Sequence, residues 1–303
     1  MAVDRVGFIG TGAMGGGMSM RLLEAGHRLV VCDKNPEATK PLRARGAAIA
    51  SSPREVADAA EIVFACLPSP ETSEAVALGE NGVVKGGAVR VYVETSTIGT
   101  DVIAVLDEGL RDAGIGLLDA PISGGADGAR AGTLSTIAAG ERALFDKARP
   151  MLAAFATHIF YVGDRAGQAQ LAKLINNLLS TAAKLVTFEG IALGLAAGLD
   201  PDTLVDFINV STGRNMATLE EFPNRVLRVF QSKGPDAKSI GVKDTELFLR
   251  EAERFGVPTS LAPKILEVMI ETGSYDDRAS PGRLLSSYVQ RLKELEARRT
   301  AKR

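Results

Sequence analysis

The 303-residue sequence is short of several residue types, and each shortage excludes a class of protein. Two cysteines are too few for a disulfide-stapled fold, so we predict free thiols in a reducing compartment, the cytoplasm. Two separated histidines, His27 and His158, have no cluster of cysteines or carboxylates beside them and do not suggest a metal site. The formal net charge of -2 gives no general attraction to nucleic acid or to an anionic membrane. A small-molecule partner is therefore expected.

Long uninterrupted hydrophobic runs are also missing. The most apolar stretch, residues 171–199, is interrupted by five charged or amide residues, which predicts a buried helix and argues against a membrane span. An apolar strand begins within a few residues of Met1, so we expect no signal peptide. The five interrupting residues are Lys173, Asn176, Asn177, Lys184 and Glu189.

The first half of the sequence alternates short apolar runs with helical or turn-rich segments. Continuously apolar strands are typical of a doubly wound parallel sheet that has helices on both faces. After about Tyr161 only helical periodicity remains, which predicts an all-α C-terminal domain. We predict domains at 1–163 and 164–295, followed by a charged tail at 296–303. The predicted strands are 5–9, 28–32, 62–67, 89–94 and 116–118, with two last strands at 136–139 and 159–162.

The first strand runs directly into a G-x-G-x-x-G turn that opens a helical segment. In this context Gly10 permits a tight turn, Gly12 lets the backbone approach a pyrophosphate, and Gly15 lets helix and strand pack closely. The alternative is a purely structural glycine turn. We predict an α/β N-terminal Rossmann-type domain whose dinucleotide site includes Gly10, Thr11, Gly12, Ala13, Met14 and Gly15.

Asp33 ends the second strand, eighteen residues after Gly15. A carboxylate at this position accepts hydrogen bonds from the adenosine ribose hydroxyls and repels a 2′-phosphate. The sequence therefore favours NAD, with NADP as the alternative because Lys34 lies next to Asp33. The structural alternative is that Asp33 only caps the turn before Pro36.

Two further segments carry candidate chemistry. Ser123, Gly124 and Gly125 follow an apolar strand, and their amides and hydroxyl could bind a carboxylate, although such a string is more often only a loop. Lys173 and Asn177 are four residues apart, so they share one face of the predicted long helix and could grip one oxygen atom. A helical lysine is usually solvated, but the apolar residues around Lys173 indicate partial burial.

Several motifs follow one another along nearly the whole chain: 6–15, Leu67-Pro68, Ser96-Thr97, 119–125, 132–134, the helix around Lys173 and Asn177, and Lys243-Asp244. Together and in this order they resemble the β-hydroxyacid dehydrogenase family. One departure is Ala169, where the family usually has a second glycine before the catalytic helix, and a methyl group should be tolerable there.

The resemblance implies a role for each candidate residue. It makes Lys173 catalytic, gives Asn177 a supporting and substrate-binding role, and places the substrate carboxylate on Ser123, Gly124 and Gly125. The variable end of the substrate falls near Arg214 and Asn215. The implied cofactor-lining residues are Leu67, Pro68, Thr97 and Lys243. The structural alternative for Lys243 is a charge pair with Asp244 at the start of a helix.

We therefore expect an oxidoreductase that transfers a hydride between NAD and a small 3-hydroxy acid or semialdehyde, such as a 3-hydroxyisobutyrate-like or tartronate semialdehyde-like compound. The alternatives are an NADPH-dependent reductase of small aldehydes or imines, and a dinucleotide-binding scaffold without catalysis. Lys173 counts against an imine reductase, and Asp33 counts against NADPH. The length of the apolar helix, together with the resemblance, implies a homo-dimer or homo-tetramer.

Overall fold

The computed structural model describes residues 5–220, 241–271 and Glu294, and the chain divides into two compact units between Lys173 and Leu174. The first unit is built on a nine-stranded sheet with the order β3-β2-β1-β4-β5-β6-β8-β7, in which β9 pairs with β8. The strands are β1 (Arg5–Ile9), β2 (Arg28–Cys32), β3 (Ala48–Ile49), β4 (Ile62–Ala65), β5 (Val91–Glu94), β6 (Gly116–Asp119), β7 (Ile122–Ser123), β8 (Leu134–Ala139) and β9 (Ala156–Gly163).

Seven helices accompany this sheet, and three of them start with the same local signal. Asn35, Ser52 and Ser69 each accept a hydrogen bond from a backbone amide of the first turn, and a proline follows each of them directly. These starts are therefore encoded locally. The helices are α1 (Ala13–Glu24), α2 (Pro36–Ala44), α3 (Pro53–Ala59), α4 (Pro70–Leu78), α5 (Thr100–Asp112), α6 (Gly125–Ala131) and α7 (Arg142–Phe155).

Helices cover both faces of the sheet, as the apolar strands predict. On one face Phe8 and Phe64 stack with ring centroids 6.0 Å apart, and Phe155 of α7 meets Phe64 edge-on. On the other face Val63 and Tyr92 lie in a second buried cluster with side chains from α3 and α5. The alternating strand residues thus supply two hydrophobic cores, and the doubly wound fold is confirmed.

Several details of the sheet differ from the sequence prediction. The strands at 5–9 and 28–32 are confirmed to the residue, whereas β3 and β7, each two residues long, were not predicted because two residues show no periodicity. The sheet is parallel from β3 to β6, but β8 runs antiparallel to both β6 and β7. The predicted doubly wound parallel sheet is therefore confirmed, with one antiparallel strand near this edge.

Only helices are found among the described residues beyond Gly163. They are α8 (Gln168–Ala196), which contains the boundary between the units, α9 (Pro201–Asn209), α10 (Gly241–Arg254) and α11 (Ala262–Glu271). In the second unit Leu185, Val242 and Met269 form a small buried cluster. The division after Lys173 lies ten residues beyond the predicted boundary at 163. The predicted tail at 296–303 is outside the described residues.

Helix α8 is only partly buried, in contrast to its predicted burial. Val186 is 69% exposed and Leu193 is 72% exposed, and Ile175 and Leu179 also face solvent, whereas Phe188 is buried. None of the described helices is long and apolar enough to cross a membrane.

Candidate active site

The turn between β1 and α1 has the shape that its glycines predict. Gly10 has a φ of +85°, and a Cβ there would lie 2.3 Å from the carbonyl oxygen of Cys66. A Cβ on Gly15 would lie 1.8 Å from the carbonyl oxygen of Gly10, so the close approach of helix and strand requires glycine. A Cβ on Gly12 would meet no atom within 4 Å. The exposed backbone at Gly12, with Thr11, Ala13 and Met14 beside it, fits a pyrophosphate at the start of α1.

Asp33 lies at the carboxyl end of β2 and contacts this turn. Its Oδ2 accepts a hydrogen bond of 2.7 Å from the backbone N–H of Thr11, and its Oδ1 accepts one of 2.8 Å from the N–H of Asn35. The predicted capping role is therefore present, and Asp33 also ties the glycine turn to β2. Oδ2 also accepts a longer hydrogen bond of 3.4 Å from Thr11 Oγ1, whereas Oδ1 keeps a lone pair that can accept from a ribose hydroxyl. Lys34, next to it, is exposed.

The segments after β4 and β5 lie beside this turn, because both strands run parallel to β1 and end at the same edge of the sheet. The N–H of Leu67 donates to Ser96 Oγ over 2.7 Å, which joins the two segments. The Leu67 side chain lies against Gly10. Pro68 is exposed and Thr97 is half-buried. The sheet thus brings together the predicted cofactor residues of the first unit, at the edge where such folds bind dinucleotides.

Lys173 meets Ser123 in the same unit. Its Nζ donates to Ser123 Oγ over 2.6 Å, and the lysine is only 8% exposed. Ser123 ends β7, and Gly124 and Gly125 follow with φ values of +128° and +66°. Both glycines are exposed, and a Cβ on Gly125 would meet no atom within 4 Å. A buried amine, a hydroxyl and an open glycine turn therefore lie side by side.

Sequence reasoning gave no role to Gln170, in the first turn of α8, or to Asp119, the last residue of β6. Both side chains are fully buried. Gln170 Nε2 donates to Asp119 Oδ1 over 2.7 Å and to the carbonyl oxygen of Ser96 over 3.0 Å. Gln170 Oε1 accepts from the N–H groups of Ile98 and Gly99. A buried glutamine in an apolar helix, and an aspartate directly after an apolar strand, were the available signals, since a buried polar group needs a partner.

Burial has the largest effect on the pKa values of two acidic residues beside the site, Asp119 and Glu94. Desolvation raises the pKa of Asp119 to about 7, and its hydrogen bonds from Gln170 and Gly167 offset this only in part. Desolvation also raises the pKa of Glu94, against hydrogen bonds from Ser96. In addition, the charge of Glu94 raises the pKa of Asp119.

In the second unit, Asn177 and Lys243 both contact Asp244, which the sequence suggested only as the partner of Lys243 in a charge pair at the start of a helix. Asn177 Nδ2 donates to Asp244 Oδ2 over 2.7 Å, and Lys243 Nζ lies 3.5 Å from Asp244 Oδ1. Asp244 is buried and accepts this hydrogen bond, so it holds the Asn177 amide in place, whereas its contact with Lys243 is an ion pair.

The segment predicted to contact the variable end of the substrate also lies in the second unit. Asn215 caps its own turn, because its Oδ1 accepts from the N–H of Ala217 over 2.8 Å. Its Nδ2 donates to Thr187 Oγ1 over 3.1 Å, whereas Arg214 is exposed. A substrate contact through Asn215 stays a prediction. The part of the chain that the structure describes contains no cluster of histidine, cysteine and carboxylate side chains suited to a metal ion.

Two family models match the chain. One is described as the NAD binding domain of 6-phosphogluconate dehydrogenase and matches residues 5–163. The other is described as NAD-binding of NADP-dependent 3-hydroxyisobutyrate dehydrogenase and matches residues 167–280. Together they cover both structural units.

Individual dehydrogenases are also similar to this chain in sequence and in structure. A 3-hydroxyisobutyrate dehydrogenase of Pseudomonas aeruginosa is 40% identical over 213 residues, which is 70% of this chain and 71% of that protein. A 2-(hydroxymethyl)glutarate dehydrogenase of Eubacterium barkeri is 32% identical over 87% of this chain and 88% of its own. The solved structure of Mycobacterium tuberculosis 3-hydroxyisobutyrate dehydrogenase with L-serine has a TM-score of 0.81 at 26% identity, over 96% of this chain and 99% of that one.

Proposed function

The chain belongs to the β-hydroxyacid dehydrogenase family, and we propose that it interconverts a small 3-hydroxy carboxylate and the matching semialdehyde, with NAD preferred over NADP and with Lys173 as the proton-transferring residue. The observation that carries this proposal is the contact of 2.6 Å between Lys173 Nζ and Ser123 Oγ. It places a buried amine beside the turn that we assign to the substrate carboxylate.

The substrate's carboxylate is assigned to Ser123 and the two glycines after it. The Ser123 hydroxyl accepts a hydrogen bond from Lys173 and keeps its own O–H to donate to a carboxylate oxygen. Gly124 and Gly125 are exposed and have no side chain to block access to their amides. A carboxylate bound in this way would direct the hydroxyl on C3, two carbons from the carboxylate carbon, toward Lys173.

Lys173 handles the proton of that hydroxyl. In the oxidising direction its neutral amine accepts the proton from the alcohol, and in the reducing direction its ammonium returns it to the carbonyl oxygen. When bound, the nicotinamide accepts or supplies the hydride. The low exposure of Lys173 keeps competing water from its amine.

The preference for NAD rests on Asp33. Its carboxylate lies at the carboxyl end of β2 and holds the glycine turn through Thr11, so a 2′-phosphate at this position would meet its negative charge. The two residues that follow, Lys34 and Asn35, carry no negative charge, so this preference depends on Asp33.

The resemblance also assigns contacts to residues of the second unit, and these are part of the proposal. Asp244 orients Asn177, which we assign to substrate binding and support of catalysis, and it lies beside Lys243, which we assign to the cofactor. Arg214 and Asn215 are assigned to the variable end of the substrate. Their polar side chains favour a polar substituent there.

We further propose a homo-dimer or homo-tetramer in a reducing compartment, the cytoplasm. The exposed apolar residues of α8, including Val186 and Leu193, recur seven residues apart on one helical face that a second copy could cover. Cys32 and Cys66 are both free thiols, which agrees with a reducing compartment.

A spectroscopic assay of reduced nicotinamide tests the catalytic proposal. Purified protein is mixed with NAD or NADP and with 3-hydroxyisobutyrate, L-serine or 2-(hydroxymethyl)glutarate, or with reduced cofactor and tartronate semialdehyde. We expect NAD-dependent turnover with at least one compound, and a Lys173→Ala variant that binds NAD but turns over at least about 100-fold more slowly. Loss of NAD binding in that variant would make Lys173 a structural residue. Binding of NAD by the wild type without turnover of any compound would favour the non-catalytic scaffold.

A further inference from the structure

The first turn of α8 is capped by a carboxylate from the sheet. Asp119, the last residue of β6, accepts hydrogen bonds at Oδ2 from the N–H of Gly167 over 3.0 Å and from the N–H of Gln170 over 3.1 Å. These amides have no partner within the helix. The start of the helix that carries Lys173 is therefore held by a residue 51 positions earlier in the chain.

The Gln170 side chain adds a second connection, and all its hydrogen-bonding atoms are used. Its Nε2 donates to Asp119 and to the carbonyl of Ser96, and its Oε1 accepts from the N–H of Gly99 over 3.1 Å and from that of Ile98 over 2.9 Å. The Gln170 amide therefore connects α8 both to β6 and to the segment that follows β5. The segment after β5 also contains Thr97, which we assign to the cofactor.

Two short stretches of chain connect Asp119 and Gln170 to Ser123 and Lys173. Ser123 lies four residues after Asp119, and Lys173 lies three residues after Gln170, about one helical turn away. The pairs Asp119–Gln170 and Ser123–Lys173 thus close a ring through the loop on one side and through α8 on the other. A shift of α8 at Gln170 would move Lys173 away from Ser123.

We propose that Gln170 is a positioning residue, whose amide sets the place of Lys173 relative to Ser123 and to the cofactor-facing segment 96–99. This inference rests on the proposed function for its effect on turnover. The competing interpretation is that Gln170 only adds stability to a buried junction, and the two interpretations differ in what the folded protein does.

The test exchanges a single group. Gln170→Glu keeps the size of the side chain and an oxygen that accepts from the Ile98 and Gly99 amides, but a carboxyl group carries at most one proton and cannot donate to both Asp119 and Ser96. The matched control is Gln168→Glu, two residues earlier on the same helix, since Gln168 uses only its oxygen to accept from the N–H of Arg165. The double variant Asp119→Asn with Gln170→Glu restores a donor and an acceptor between the two side chains with reversed polarity.

Turnover is measured at a temperature where each variant is fully folded by circular dichroism. We expect Gln170→Glu to lower kcat roughly 10- to 100-fold while the KM for the hydroxy acid changes less, because a displacement of about 1 Å can cost this much. Gln168→Glu should match the wild type, and the double variant should recover part of the lost kcat. A lower Tm with wild-type kcat in the folded protein would overturn the proposal.

A second measurement does not depend on turnover. Acetylation of the Lys173 amine by acetic anhydride, followed by peptide mass spectrometry, should be several-fold faster in Gln170→Glu than in the wild type and in Gln168→Glu, because a displaced amine leaves its buried contact. If the wild type turns over no hydroxy acid but this difference appears, the proposed function fails and the positioning role stands. If the wild type is active and neither acetylation nor kcat responds, the positioning role fails alone.

Discussion

Glu94 and Asp119 lie directly opposite each other on the adjacent strands β5 and β6, and both side chains are fully buried. Two carboxyl groups this close in a low dielectric disfavour each other's ionisation. Asp119 nevertheless accepts three hydrogen bonds from N–H groups, which suit the ionised form. The protein thus keeps at the start of α8 an acid whose pKa is raised to about 7.

This raised pKa predicts a specific dependence of stability on pH. Because the folded pKa of Asp119 lies above its ordinary value of 3.8, the contribution is fully present below about pH 4 and is lost as the pH rises to about 7. The slope for one proton is at most about 1.4 kcal/mol per pH unit. Urea unfolding of the wild type and of Asp119→Asn from pH 4 to 8 measures it. The difference in unfolding free energy between the two proteins should change across this window, and a constant difference would contradict the prediction.

The glycine turn offers a matched pair of substitutions with opposite consequences. Gly12→Ala should leave the Tm within a few degrees of the wild type, because its Cβ meets no atom within 4 Å and its φ of -63° suits alanine. It should weaken NAD binding at least about 10-fold, because the methyl group occupies the space assigned to the pyrophosphate. Thermal unfolding and fluorescence titration with NADH measure both effects.

Gly15→Ala is the opposite case. Its Cβ would lie 1.8 Å from the Gly10 carbonyl oxygen, so strand and helix must move apart. We expect a loss of about 1–3 kcal/mol of stability or more. Equal Tm values for the two variants would refute the distinct roles of these glycines.

Asp33→Asn tests the choice of cofactor without dismantling the turn. The asparagine carbonyl can still accept from the Thr11 amide, while the negative charge and the bond from the N–H of Asn35 are lost. The ratio of kcat/KM for NAD to that for NADP should fall roughly 10-fold or more, since hydrogen bonds to a charged group are worth about 1.5–3 kcal/mol. A steady-state comparison of both cofactors measures the ratio. An unchanged ratio would mean that Asp33 serves only to cap its turn.

The exposed face of α8 predicts a change in oligomeric state. Val186→Glu places a charge on a side chain that is 69% exposed, and it should lower the sedimentation coefficient at micromolar concentration if this face packs against a second copy. Val105→Glu on α5, where the valine is 46% exposed, is the matched control and should leave sedimentation unchanged. Identical sedimentation of Val186→Glu and the wild type would exclude this face as the contact.

The sequence by itself determined the parts that depend on neighbouring residues. The strand at 5–9, the glycine turn after it and the helix that follows are read from a few consecutive residues, because turn geometry and side-chain periodicity are local. The capping of the turn before Pro36 by Asp33 is local in the same way, because its Oδ1 accepts from the N–H of Asn35, two residues later. Motif order also identified the family.

The tertiary structure alone decided the contacts between distant segments. Nothing near Asp119 in sequence indicates that it caps α8, and nothing near Gln170 indicates that its amide reaches Ser96, 74 residues away. The antiparallel strand β8 and the burial of Glu94 beside Asp119 are likewise set by which strands become neighbours. Such contacts follow from the need of every buried polar group for a partner, and only the folded chain determines which partner is within reach.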